Sequence, residues 1–246
     1  MSNKTDSNTY TILFAIAMVI VVGGLLAFTA SSLRPKIDNN ERLEKQQNIL
    51  YAMGVNANDE SSAIFVSTDE APELFAKYIS KQLVIQGGDV SEDKEAYLID
   101  VKKEQTSAKA GNERRLPLFV GNKDGKTFYI APIRGKGLWD AIWGYVAMDK
   151  NMVVQGAYFD HKGETAGLGA NIKQRFFMDD FIGENLMNNG VFKGITVAKG
   201  NNDPKNKRKT DNKVDAIAGA TITGDGVTAM LKSELKQYVS YFKTLK

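Results

Sequence analysis

The chain has 246 residues, with 32 Lys and Arg against 29 Asp and Glu, a net charge of +3. This small excess excludes the concentrated basic charge of a nucleic-acid-binding domain. The absence of cysteine excludes disulfides, Fe–S clusters and thiolate zinc sites, and the single histidine, His161, excludes multi-histidine metal and bis-histidine haem sites. The sequence therefore predicts no metal site, and any redox cofactor is expected to be organic.

Residues 10–30 form an uncharged apolar segment of 21 residues. As a helix it would extend about 31 Å, enough to cross the hydrocarbon core of a membrane. A buried helix of a soluble protein would be apolar along one stripe, whereas this segment is apolar on all faces. A cleaved signal peptide has a shorter apolar core of about 7–15 residues, although the small residues 30–32 resemble a cleavage site. We predict an uncleaved single-pass transmembrane helix after a tail of residues 1–9.

The basic residues on the two sides of this segment favour a cytoplasmic C-terminal part. Lys4 and the α-amino group precede the segment, whereas Arg34, Lys36, Arg42 and Lys45 follow it. A count of Lys and Arg therefore places the larger part of the chain in the cytoplasm. The rule weakens for long translocated domains, so this count alone does not fix the orientation.

The rest of the sequence predicts an α+β domain, residues 61–246, behind a helical stalk and linker, residues 31–60. Periodic apolar positions predict helices, and apolar runs bounded by turn residues predict strands. The predicted helices cover residues 36–53, 71–86, 171–186 and 224–242. The predicted strands cover residues 97–101, 116–120, 127–132, 143–148, 152–159 and 195–198. Residues 54–70 and 102–115 are polar and predicted to lack regular structure.

The first of three glycine-containing segments, Gly135–Trp139, reads GKGLW. The glycines would let the backbone approach a ligand, and Trp139 would supply an aromatic wall. The simpler interpretation is a tight turn before a strand with Trp139 in the core. The segment alone favours the simpler interpretation.

The second segment, His161–Gly169, reads HKGETAGLG and joins a predicted strand to a predicted helix. Its backbone N–H groups and the helix end beside it would suit an anion or an electron-rich ring edge. An ordinary glycine-rich connection is the alternative. His161 is expected to be a solvated loop residue, because it has no second metal-ligating partner.

The third segment, Asp215–Gly224, reads DAIAGATITG and leads into the last predicted helix. In the simpler interpretation Thr221 or Thr223 is the N-cap of that helix. In the alternative, functional interpretation, the helix N-terminus binds a phosphate, because its free N–H groups and its dipole favour an anion. Taken alone, the segment favours the cap.

With these three segments in this order, the chain resembles the C subunit of the Na⁺-translocating NADH:quinone reductases. The resemblance covers nearly the whole chain: one N-terminal span, a stalk and a flavin-binding domain. The third segment is the most specific, since the family has Ser/Thr-Gly-Ala-Thr-x-Thr/Ser there and esterifies FMN through its phosphate to the last hydroxyl. That residue is Thr223 in this sequence. Ala218 stands where the family usually has Ser or Thr, which removes one hydrogen-bonding group but leaves the acceptor hydroxyl.

The resemblance implies a membrane-anchored flavoprotein that relays electrons within an enzyme and is not catalytic alone. It implies covalent FMN, other subunits as partners, and a separate flavin transferase that uses FAD on the outer side of the membrane. The FMN domain would then lie on the periplasmic side of the inner membrane, against the Lys and Arg count. NADH oxidation, quinone reduction and sodium transport would involve other parts of the complex.

The residues expected to hold the flavin come from all three segments. Gly219, Ala220 and Thr221 would shape the phosphate turn, and Asp215 would help to present Thr223 to the transferase. The backbone from Glu164 to Gly169, including Gly167, and the hydroxyl of Thr165 would contact the ring edge. The expected flanking residues of the ring are Gly137, Leu138, Trp139 and Leu168.

Two other functions and one further segment remain open from the sequence. The chain also resembles the G subunit of the related ion-translocating ferredoxin:NAD⁺ oxidoreductase, which shares the flavin motif; the GKGLW segment and the long insert before it favour the quinone reductase. In a third interpretation the chain is a membrane-anchored binding module in which Thr223 only caps a helix. The basic segment at residues 204–209 is interpreted as a solvated loop, with attraction of phosphate or of an acidic partner as the alternative.

Overall fold

The structure is a computed structural model that describes residues 7–59, 62–204 and 206–245. It divides into two compact units, Met1–Arg42 and Leu43–Lys246. In the first unit the described residues form only the start of helix α1, Asn8–Ala52. Most of the predicted tail, residues 1–6, lies outside the described residues.

Helix α1 contains a stretch whose length and composition suit a membrane span, with a mean hydropathy of 2.7 in its most apolar window. The large apolar side chains between Tyr10 and Leu33 are exposed in the first unit, as expected for side chains that face lipid. The predicted helix at residues 36–53 is confirmed as the second half of α1, which continues through Pro35. The last residues of α1, Asn48–Ala52, are buried in the second unit. The compact domain therefore begins at Leu43, earlier than the predicted boundary at residue 61.

The second unit contains five further helices and ten strands among the described residues. The helices are α2 Ala71–Tyr78, α3 Val101–Lys109, α4 Arg175–Met178, α5 Thr221–Leu235 and α6 Val239–Thr244. The long strands are β1 Ile79–Gln86, β3 Leu116–Lys123, β4 Lys126–Lys136, β5 Ala141–Met148 and β6 Val154–His161. The short strands are β2 Asp89–Glu92, β7 Met187–Asn188, β8 Val191–Phe192, β9 Thr196–Val197 and β10 Lys213–Val214.

The main sheet is antiparallel and has six strands in the order β2-β1-β3-β4-β5-β6. Helix α5 packs against β4. The apolar positions predicted along this helix and its continuation are all buried: Val227, Leu231, Leu235, Tyr238 and Phe242. The α+β class with an N-terminal apolar helix is therefore confirmed.

Glycine lets α5 approach the end of β4 closely. A Cβ atom added at Gly226 would lie closer to the Lys136 carbonyl oxygen than real Cβ contacts allow. This contact fixes the start of α5 beside the turn that joins β4 to β5. The loop after β6 reaches the same place, because β6 pairs with β5 and Ile142 lies opposite His161.

In the first part of the domain, one predicted element is correct only in its first half and a second is wrong. The predicted helix at residues 71–86 ends at Tyr78, and its second half is strand β1. This strand pairs with β2 on one side and β3 on the other, a tertiary effect that local periodicity does not show. The predicted strand at residues 97–101 is a 3₁₀ turn at Ala96–Leu98 followed by α3. The Asp100 carboxylate caps α3 by accepting hydrogen bonds from the N–H groups of Lys102 and Lys103, so much of the predicted irregular stretch is helical.

The predicted helix at residues 171–186 is also wrong. Its place is taken by α4 between two 3₁₀ turns, Gly169–Lys173 and Asp179–Phe181. Phe177 and Phe181 are buried as the periodicity requires, because they pack against Phe159 of β6 with ring centroids 5.9 and 5.0 Å apart. Apolar spacing alone does not distinguish successive short turns from one helix.

The strands predicted from β3 to β6 are confirmed with shifted ends. Strand β6 begins at Val154 and not at residue 152, because Met152 has a positive φ of 61° in the turn before it. The predicted strand at 195–198 is confirmed as β9. The last helix begins at Thr221, three residues before the predicted start, and a 3₁₀ turn at Lys236–Tyr238 separates α5 from α6.

Candidate functional site

A cavity of about 240 Å³ lies where the β4–β5 turn, the loop after β6 and the start of α5 meet. Nine of the thirteen residues predicted to bind the cofactor line it. The lining residues are Leu138, Glu164, Thr165, Leu168, Gly169, Gly219, Ala220, Thr221, Ile222 and Thr223. The fold thus brings together three segments that are far apart in the sequence.

A buried carboxylate–hydroxyl pair is the central contact of this cavity. The Thr223 hydroxyl donates a 2.6 Å hydrogen bond to Oε2 of Glu164. Only 1% of Thr223 and 7% of Glu164 is exposed. The other oxygen, Oε1, accepts a 2.9 Å bond from the Trp139 backbone N–H. The pair therefore joins all three segments through one side chain.

Two glycines pack tightly around this carboxylate. A Cβ atom at Gly169 would lie 2.5 Å from both Glu164 Oε2 and Thr223 Oγ1. A Cβ atom at Gly137 would lie 2.5 Å from Glu164 Oε1. Larger residues at either position would displace the carboxylate from the hydroxyl.

Neither threonine of the third segment is the N-cap of α5, so the interpretation of Thr223 as a cap is wrong. The N-cap is Ala220, which makes no side-chain hydrogen bond to the helix. Thr221, Ile222 and Thr223 form the first turn, where backbone N–H groups have no acceptor within the helix. Gly219 enters this turn with a positive φ of 71°. Among the described residues, none accepts a backbone hydrogen bond from these three N–H groups, so the start of α5 presents free donors at the cavity.

The rim of the cavity is apolar and exposed. Trp139 is 66% exposed, so the expectation that it lies in the core is wrong. Leu138, Leu168 and Ile222 are exposed beside it. The Trp139 indole N–H donates a 3.2 Å hydrogen bond to the Thr165 hydroxyl, which links the first two segments across the rim. Ile222 was missed from the sequence, although it lies between the two threonines of the motif.

The loop after β6 is held by His161, which is not a solvated loop residue. His161 is half-buried as the last residue of β6, and its Nδ1 accepts a 3.1 Å bond from the Glu164 N–H. That N–H is therefore unavailable to a ligand, contrary to the sequence expectation. Its Nε2 is buried and has no hydrogen-bond partner among the residues described. Gly167 follows in the exposed part of the loop with a φ of 77°, outside the cavity lining.

An ion pair ties the β4–β5 turn to the same loop. The Asp140 carboxylate lies 3.1 Å from the Lys162 ammonium. The hydrogen bond from the Ala141 N–H lowers the pKa of Asp140 below its ordinary value, and the hydrogen bond from Lys162 lowers it further. Both side chains are exposed, so this pair adds little stability.

Asp215 lies away from this cavity, so its expected role beside Thr223 has no support in the contacts. Its carboxylate accepts hydrogen bonds from the N–H groups of Asn202 and Asp203 at 3.1–3.2 Å. It lines a separate, larger cavity of about 430 Å³ with Asp203, Arg208 and other polar residues. Asp215 therefore shapes the loop before the motif.

The basic segment at residues 204–209 is only partly a solvated loop. Lys205 lies outside the described residues. Asn206 is buried, Arg208 pairs with Asp203 at 3.4 Å, and Lys209 donates to the Asp180 carbonyl at 3.2 Å. These charges mainly hold the segment against its own domain.

The comparisons with known proteins agree with this geometry. A model of the FMN-binding domain family matches residues 137–236, which include the second and third segments and Gly137–Trp139 of the first. The C subunit of the Na⁺-translocating NADH-quinone reductase of Vibrio anguillarum is 30% identical over 243 residues, covering 92% of this chain and 90% of that protein. The C subunit of the Pseudomonas aeruginosa enzyme is 29% identical, with 94% and 92% covered.

Two solved structures are similar as well. The crystal structure of the C subunit from Parabacteroides distasonis has a TM-score of 0.72 and 34% identity, and the match covers 85% of this chain and 96% of that one. The Shewanella oneidensis NqrC structure has a TM-score of 0.62 at 24% identity, covers 83% and 99%, and supports the fold.

The fold and the cavity define a flavoprotein with an FMN-binding domain behind an N-terminal apolar helix. Its relatives are subunits of a larger enzyme complex. The chain belongs to the family of the C subunits of the Na⁺-translocating NADH-quinone reductases.

Proposed function

We propose that this chain is the electron-carrying subunit of an Na⁺-translocating NADH:quinone reductase, and that FMN is attached to it by a phosphoester at Thr223. The observation that carries this proposal is the position of Thr223. Its hydroxyl lies in a cavity at the uncapped N-terminus of a fifteen-residue helix. No general acid or base for NADH oxidation is needed in such a subunit, which accepts electrons and passes them on.

The start of α5 suits the phosphate of FMN. Thr221, Ile222 and Thr223 supply backbone donors, and the helix dipole favours a negative group at this end. An ester at Thr223 would join the phosphate to a residue of this same turn. Gly219 and Ala220 shape the turn that leads into them.

The apolar rim suits the isoalloxazine ring. Leu138, Leu168 and Ile222 line the cavity with exposed side chains, and Trp139 lies beside them. The Thr165 hydroxyl and the backbone of the loop after β6 offer polar contacts at the ring edge. FMN supplies the chemistry of accepting and releasing electrons, and the covalent ester allows the ring to remain exposed for transfer to a partner.

The partners follow from this role. We infer that the other subunits of the reductase donate and accept the electrons, and that a separate flavin transferase attaches FMN from FAD. The apolar part of α1 is long and apolar enough to cross a membrane, and it anchors the chain in the inner membrane. The FMN domain lies on the periplasmic side, because the transferase acts outside the cytoplasm.

The orientation gives a direct prediction. A reporter that is active only outside the cytoplasm, fused after Lys246, should be active, and a cytoplasm-specific reporter at the same place should be silent. The reason is that a long domain can be translocated against the Lys and Arg count of its flanks. The opposite pattern of reporter activity would show that Arg34, Lys36, Arg42 and Lys45 determine the orientation.

Covalent attachment is tested on the denatured chain. After co-expression with the transferase, the purified full-length chain should keep flavin fluorescence on a denaturing gel, since unfolding does not break a phosphoester. A binding module without flavin would give a colourless band. Fluorescence that leaves the chain on denaturation would indicate dissociable FMN and contradict the ester.

A further inference from the structure

We propose that Glu164 is the general base for the attachment of FMN, so that this chain supplies part of the chemistry of its own modification. The proposal rests on the proposed ester at Thr223 and adds a catalytic role for a second residue. From the sequence, Glu164 is expected only to contact the flavin ring. The contacts of its carboxylate indicate a different role.

The geometry meets the first requirement of a general base. Oε2 of Glu164 accepts a hydrogen bond from the Thr223 hydroxyl at 2.6 Å. This distance is within the range for direct proton transfer. The pair is buried, which limits competition from water for this bond. Trp139 N–H on Oε1 and the tight contacts of Gly137 and Gly169 hold the carboxylate in this position.

The pair also explains why the second threonine of the motif would be the acceptor. Thr221 is the more exposed of the two residues and would be easier to reach. In the described part of the chain, however, no carboxylate accepts a hydrogen bond from the Thr221 hydroxyl. A threonine hydroxyl is a weak nucleophile unless an adjacent base takes its proton.

Thr223 Oγ1 attacks the flavin-side phosphorus of a flavin dinucleotide bound to the transferase. The new Oγ1–P bond forms as the P–O–P bond breaks, and AMP leaves. The proton of the Thr223 hydroxyl passes to Oε2 of Glu164.

Initial rates of adduct formation on the full chain test the proposal. The unmodified chain in detergent is mixed with transferase and FAD, and intact mass gives the modified fraction over time. Glu164→Gln keeps the size of the side chain and an oxygen for the Trp139 N–H but cannot take the proton. Glu164→Asp keeps the carboxylate but withdraws it by one methylene. Asp225→Asn removes an exposed carboxylate two residues beyond Thr223 and serves as the matched control.

We expect Glu164→Gln to lower kcat for attachment about 100-fold or more, with the KM for the acceptor chain unchanged. Glu164→Asp should recover part of the rate, and Asp225→Asn should match the unmutated chain. A rate within a few fold of the unmutated chain in Glu164→Gln would overturn the role of Glu164 and leave the ester at Thr223 standing. A rise in KM with kcat unchanged would also overturn it, because the residue would then only shape the docking surface. If the unmutated chain takes no adduct, both this proposal and the ester are wrong.

Discussion

Thr223→Val should abolish covalent flavin while the domain remains folded. Valine keeps the β-branched shape and removes the one oxygen to which the phosphate would be joined. The lost hydrogen bond leaves an oxygen of Glu164 without its donor, at a cost of about 1–3 kcal/mol. The denatured variant should show no flavin fluorescence on a gel, and circular dichroism of the native variant should match the parent.

Thr221→Val is the matched control for this variant. It makes the same chemical change two residues earlier, at an exposed position on the same turn. We expect it to retain the adduct, with at most a lower yield through disturbance of the turn. Loss of the flavin from Thr221→Val together with its retention in Thr223→Val would reverse the assignment within the motif.

Glu234→Ala should cause the second large effect, a loss of about 3–5 kcal/mol in the free energy of unfolding. The Glu234 carboxylate pairs with the Arg114 guanidinium through two hydrogen bonds, one of them 3.0 Å long, and also accepts from the Gln105 amide at 3.1 Å. Burial lowers the pKa of Arg114, but the bonds and charge of Glu234 outweigh this effect and raise the pKa overall. Removing Glu234 would leave this guanidinium charged and largely buried.

Thermal or urea unfolding of the full chain in detergent measures this loss. The control is Glu92→Ala, which breaks the Lys81–Glu92 pair, whose side chains are 57% and 63% exposed. Such an exposed pair contributes about 0–1 kcal/mol. Equal losses in the two variants would mean that the network around Arg114 does not hold α5 against the sheet.

The confirmed predictions rest on local patterns that tertiary contacts reinforce. The buried positions of α5, such as Val227 and Leu231, repeat at helical spacing and pack on β4. The strands from β3 to β6 follow one another through short turns, so their sequence neighbours are also their sheet neighbours. The helix predicted at 71–86 is correct up to Tyr78 and wrong beyond it, because its second half pairs with β3, more than thirty residues later in the chain.

The sequence predicted which segments form the site, but it did not predict which side chains contact one another there. The three glycine-containing segments meet at one cavity, as the family resemblance implies. The bond between Glu164 and Thr223 joins residues 59 positions apart, and spacing carries no signal for it. Asp215 shows the reverse case, because it lies close to Thr223 in sequence and yet its carboxylate binds Asn202 and Asp203.

The sequence likewise could not predict that α5 begins without a side-chain cap. A threonine near the start of a helix is a common N-cap, so the sequence favoured that role. The helix begins at Thr221 and places both threonines inside its first turn, where the side chain of Thr223 turns towards Glu164. The backbone donors of that turn are left for another acceptor, which is the physical basis for placing a phosphate there.

Peptide mapping by mass spectrometry tests the central claim most directly. The full chain is purified after co-expression with the transferase, digested, and fragmented by a method that preserves phosphoesters. The expected result is a peptide spanning Ala220–Gly224 that carries the mass of FMN less one water, with fragment ions that place the addition on Thr223. An unmodified peptide throughout, or fragment ions that place the addition on Thr221, would contradict the proposed attachment.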